Sequence, residues 1–90
     1  MGKLVFYDED TKEWIGISEI VNASEEFERY MKENWHKILS YPKPREKFLE
    51  FEMRLLRELI NNPKARVIFE GKDVTEKVKK YLMKRVLHEE

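Results

Sequence analysis

Cysteine is absent from these 90 residues, which removes disulfides, thiolate zinc sites and cysteine nucleophiles from consideration. Glutamine is absent too, and glycine and proline occur three times each. Three glycines leave no phosphate-cradling loop, neither a Walker A spacing nor a dinucleotide fingerprint. No apolar run approaches the ~20 residues of a membrane span. The opening MGKLVFYDED lacks the layout of a secretory signal, and Phe6 stands where a myristoylation signal places serine or threonine. The expectation is one soluble, cytoplasmic domain, without cofactor or membrane partner. A chain this long buries about two-thirds of its unfolded surface, enough for one core and not two.

What the chain has in quantity is charge. Its 18 basic and 18 acidic residues cancel in sum but not in distribution. Residues 1–35 hold four Lys/Arg against nine Asp/Glu, and residues 36–90 hold fourteen against nine. Either the two halves pair within the fold, or a basic face stays open to an anionic partner. Fifteen glutamates and twelve lysines without glutamine resemble the composition reported for hyperthermophile proteins. Such proteins carry charge on all their surfaces, so charge runs alone say little about function.

Apolar spacing gives the elements. Residues 45–61 form the helix around which the rest is organised. Phe48, Leu49, Phe51, Met53, Leu55, Leu56, Leu59 and Ile60 cover more than half of its circumference, so it needs cover on two sides. Residues 3–7 and 13–21 read as a hairpin, closed by a polar loop of four or five residues. Ile15, Ile17 and Val21 share one face, and Trp14, Gly16, Ser18 and Ile20 the other. A helix over 23–40 carries Phe27, Tyr30, Met31, Trp35, Ile38 and Leu39 at spacings of three and four. Asn22 with Glu25 has capping-box spacing there, with Ser24 as the competing cap. Asn34 falls within the apolar stripe and would need a hydrogen-bond partner if buried.

Pro42 and Pro44 separate the first two helices by a short linker, which implies an antiparallel pair. A third strand over 64–70 and a helix over 74–88 follow, with Asp73–Glu76 or Thr75 as its cap. The expected class is α+β: ββααβα order, a three-stranded mainly antiparallel sheet, and helices mainly on one of its faces. Either hairpin strand could receive the third.

Candidate chemistry is sparse. Glu52 sits amid the apolar arc of the second helix, where a carboxylate must pair, accept hydrogen bonds or shift its pKa upward. It is either a pocket acid or a structural group, held in an ion pair or by a bond to a tyrosine hydroxyl or tryptophan indole. Glu33 and His36 have the Glu-x-x-His spacing of di-iron bundles. Such sites need a second copy and two further glutamates, so no metal site is expected. His88 lies at the end of the chain. Ser18, Ser24 and Ser40 stand isolated, and no nucleophile elbow surrounds them.

The clearest positive pattern is basic. Lys77, Lys80 and Lys84 form one stripe on the third helix, flanked by Lys79 and Arg85. Arg66, with Trp14 or Tyr7, could extend it into a phosphate-tracking and base-stacking surface. Against this stands surplus apolar width on the second helix, beside Tyr30, Trp35 and Tyr41, which suits a homodimer or a partner groove. The expected function is a non-enzymatic protein-interaction or self-associating module. Nucleic-acid binding through the basic helix is the alternative, and an enzyme with a pocket around Glu52 ranks last.

Overall fold

Leu4, Phe6 and Asp8 alternate with Val5 and Tyr7, and this period of two makes the first strand, β1 (Leu4–Asp8). After it come β2 (Glu13–Ile17), β3 (Glu19–Val21), α1 (Glu25–Leu39), α2 (Leu49–Asn61), β4 (Arg66–Phe69), β5 (Lys72–Asp73) and α3 (Thr75–Leu87). The structure, a computed structural model, describes residues 4–39 and 49–87. The expected linker prolines, Phe48, Ser40, Tyr41 and His88 lie outside the described residues. The class is α+β, with three helices, an antiparallel sheet β3-β4-β5 and a two-stranded β1-β2 sheet. No helix among the described residues is long and apolar enough to cross a membrane.

The hairpin pairs Asp8 with Glu13 and Leu4 with Ile17, and Lys12 N–H closes the loop on the Asp8 carbonyl at 2.7 Å. The long return strand expected over 13–21 does not continue unbroken. Ser18 N–H donates to the Ile68 carbonyl at 2.7 Å, while Glu19 is the ladder partner of the same Ile68. Two residues thus oppose one, a β-bulge. The extra residue inverts the side-chain alternation beyond it. Ile20, and not the expected Val21, joins Ile15 and Ile17 against the core. The bulge also settles where the third strand goes: β4 pairs with β3, the far half of that return strand.

Gly16 sits on the outward face yet is buried, because the Phe69 ring of β4 lies over it. A methyl group at Gly16 would overlap that ring. Gly16→Ala is therefore expected to destabilise by about 1–3 kcal/mol despite the entropy it removes from the unfolded chain. Urea unfolding would show this as a lower midpoint at unchanged slope.

Helix ends follow side-chain chemistry. Ser24 caps α1, its Oγ accepting from Phe27 N–H at 3.2 Å. The competing Asn22 is instead left-handed, with φ 60°, a conformation asparagine tolerates well. Glu25, Glu26 and Glu28 then fill the first turn of α1, and His36 and Lys37 the last, which complements the helix dipole. Asn34 meets its expected need by donating to the Tyr30 carbonyl at 2.8 Å. At α3, Asp73 accepts from Thr75 N–H at 2.9 Å and from its hydroxyl at 2.6 Å. Thr75 Oγ1 in turn accepts Val67 N–H at 2.7 Å, tying the start of α3 to β4.

The core forms where α2 and α3 meet each other and the strands. Ile17, Ile38, Phe51, Leu55, Val67, Val78 and Leu82 are fully buried. Phe6 stacks on Tyr81 with ring centroids 4.7 Å apart, joining β1 to α3. Of the wide α2 arc, Phe51, Leu55, Leu56 and Leu59 are buried, whereas Met53 and Ile60 remain 45% and 55% exposed. The described residues leave part of the arc uncovered.

Candidate functional site

The cations expected to form an open stripe are for the most part held by carboxylates. Lys84 reaches both oxygens of Asp8, at 3.0 and 2.9 Å, and Asp10 at 3.2 Å. Lys77 meets Glu13 at 3.1 Å. Both anchor α3 to the β1–β2 hairpin, so acidic residues of the first half of the chain meet basic residues of the second. Lys79 lies 3.7 Å from Glu76 on its own helix, and Arg66 bonds Asp73 at 2.9 Å. Lys80 is exposed and has no carboxylate within 4.0 Å among the described residues. The Lys77–Glu13, Lys79–Glu76 and Arg66–Asp73 pairs lie at the surface and contribute little each. They do lower the positive potential a phosphate chain would meet.

Arg85 turns the other way, into the α2–α3 interface. Its Nε and Nη2 bond the two oxygens of Glu52 at 3.3 and 3.1 Å, a fork matched to a carboxylate. Its guanidinium also lies over the Tyr81 ring, 5.2 Å from the centroid. Glu52 is buried and is half of this ion pair. Burial pushes the Tyr81 hydroxyl above its ordinary value.

Asp8 is a buried carboxylate that the sequence reading passed over. The signal was present: Leu4, Phe6 and Asp8 share the inward face of β1 at a period of two. Burial would raise the Asp8 pKa, but the Lys84 ammonium and the amides of Asp10 and Thr11 outweigh it and hold the carboxyl below its usual range. Glu58 resolves the same way. Burial alone would raise it, and the Ser24 amide, the Asn62 side chain and the Ser24 hydroxyl bring it down. Through these bonds, 2.7 Å from Ser24 N and 2.9 Å from Ser24 Oγ, α2 reinforces the cap of α1. Asp73 falls from 3.8 to about 2, chiefly through the Thr75 hydroxyl and Arg66.

A carboxylate with a lowered folded pKa stabilises the fold above its unfolded value and loses that stabilisation as pH falls toward the folded one. Asp8, Glu58 and Asp73 all have this sign. Stability is thus expected to be flat near neutrality and to fall between about pH 4.5 and about pH 2. Urea midpoints across that range would show it, with Asp73→Asn shallower in the lower half.

Ser18 and Ser24 serve the backbone. Ser18 Oγ accepts Glu70 N–H at 3.0 Å, and Ser24 is a cap. Glu33 and His36 are exposed on α1. Trp14 is 64% exposed and pairs across the hairpin with Tyr7, ring centroids 5.1 Å apart.

Among the described residues, two apolar grooves stand out. On α2, Met53, Leu56 and Ile60 line a shallow groove of about 250 Å³, with Arg57, Asn61 and Val86 of α3. Between α1 and the β2–β3 segment lies a larger groove of about 450 Å³, lined by Phe27, Met31, Trp35 and Ile17–Ile20. The Trp35 indole nitrogen is buried and has no hydrogen-bond partner among the described residues. The chain matches no protein-family model, no curated protein and no solved structure.

Proposed function

We propose that this domain is a non-enzymatic, self-associating module that pairs with a second copy through α2. One observation carries the reading: Met53 and Ile60 are exposed on one face of a helix on which Phe51, Leu55, Leu56 and Leu59 are buried. They stand seven residues apart, symmetric about Leu56 and Arg57. A two-fold axis at that point sets each Met53 against the partner's Ile60, which is the self-complementarity of an isologous interface. Val86 on α3 widens the strip. Both side chains are already about half covered, so burying the rest contributes on the order of 1 kcal/mol each.

The test is thermal unfolding over a wide range of protein concentration. A dimer that unfolds to monomers has a midpoint that climbs with concentration. Met53→Glu with Ile60→Glu is expected to flatten that dependence, leaving the dilute-limit midpoint close to that of the parent. Both side chains face water in the monomer, so the fold should tolerate the change. A concentration-independent parent midpoint would remove the reading.

Nucleic-acid binding through α3 has less support, since Lys77, Lys79, Lys84, Arg85 and Arg66 all have carboxylate partners. Its remaining assets are Lys80 and the exposed Trp14–Tyr7 pair. Salt-sensitive binding of a single-stranded oligonucleotide, lost in Lys80→Glu and Trp14→Ala, would favour it over self-association.

A further inference from the structure

Val67 donates its N–H to Thr75 Oγ1 at 2.7 Å, and its carbonyl accepts Val74 N–H at 2.8 Å. Both groups therefore point away from β3, which makes Ile20 and Val67 a non-hydrogen-bonded pair. In such a pair the other residue's amide and carbonyl also point outward. Those of Ile20 face the side of β3 that carries no paired strand among the described residues.

The 450 Å³ groove adjoins this strand. Four successive residues, Ile17 to Ile20, line it, among them the Ser18–Glu19 bulge, where the side-chain alternation is broken. Phe27, Met31 and Trp35, at four-residue intervals on α1, form the apolar wall opposite. An edge strand beside an apolar helix face is the setting for strand addition. Backbone bonds supply affinity there, and pockets for alternate side chains supply selectivity.

We propose that this groove takes an extended apolar segment of a partner protein, added as a strand along β3. Its rim sets the charge of that segment. Glu28, Lys32 and His36 follow one another along the outer wall of α1, so the wall is acidic at its start and basic further on. The complementary segment carries a basic residue at the Glu28 end and an acidic one toward Lys32 and His36. This surface is separate from the Met53–Ile60 strip, so either can fail while the other stands.

The test uses a capped peptide of alternating valine and threonine, with lysine at one end and glutamate at the other. It is titrated into nitrogen-15-labelled protein. The expected result is a saturable shift of the Ile20 amide and the Trp35 indole, with slowed exchange of the Ile20 amide. The indole of Trp14, on the hairpin, stays in place as the internal control. The same peptide N-methylated at alternate amides keeps its side chains but cannot pair, and its binding is expected to be lost. Met31→Asp is expected to abolish binding as well, and the methylated peptide makes the same point on unaltered protein. An unmoved Ile20 amide would overturn the proposal, and so would equal binding of the methylated peptide. Protection of Ile20 that rises with protein concentration alone would overturn it in favour of a second copy.

Discussion

Arg85→Met is expected to destabilise the fold by about 3 kcal/mol, at the low end of the range for breaking a buried pair. The loss comes mainly from what is left behind. Glu52 is 8% exposed, and without the Arg85 fork at 3.1 and 3.3 Å its carboxylate is buried uncompensated. Arg85 keeps 18% of its side chain exposed, so some water reaches the pair, and this places the effect at the low end. The double variant Glu52→Leu with Arg85→Met is expected to regain most of the loss, because two apolar side chains of similar volume need no partner. The double-mutant cycle from urea unfolding checks both statements. A double variant as weak as Arg85→Met would mean that Arg85 acts through packing on Tyr81 instead.

Phe51→Ala is expected to have the largest effect of any single truncation, about 3–5 kcal/mol. Phe51 is 2% exposed and is the largest fully buried side chain. It lies on α2, which packs against both α1 and α3, so the cavity would open where several elements meet. In a domain this small each kcal/mol moves the thermal midpoint by about 4–8 °C. A drop of more than about 12 °C by calorimetry is the expected result. A drop of only a few degrees would mean that the helices collapse into the space and that the core is loosely packed.

Much of this was legible in the residues. The 3.6-residue spacing located the helices, alternation located β2, and β-branched and aromatic content located β1 and β4. The width of the α2 arc foretold the burial of Glu52 and an uncovered remainder, but not that Met53 and Ile60 would be that remainder. Two features escaped for physical reasons. The Ser18 bulge adds one residue to a strand, and nothing in Ile-Ser-Glu-Ile signals that insertion. Its consequence, the exchange of Val21 for Ile20 at the core, could not be read from alternation alone. The pairing of Lys77 and Lys84 with Glu13 and Asp8 depends on partners more than sixty residues away in sequence. On the helical wheel those lysines show only that they share a face. Asp8 itself was within reach of the period-two pattern, since it continues the inward row of Leu4 and Phe6.

The measurement that tests self-association most directly is sedimentation velocity over about a hundred-fold range of concentration, at low and at high salt. The reading expects a discrete dimer whose fraction rises with concentration and does not fall with salt, because apolar contacts are not screened. A monomer at every concentration would contradict it. So would an assembly that forms at low salt and dissolves at high salt, which would turn attention from Met53 and Ile60 to the charged faces of α3.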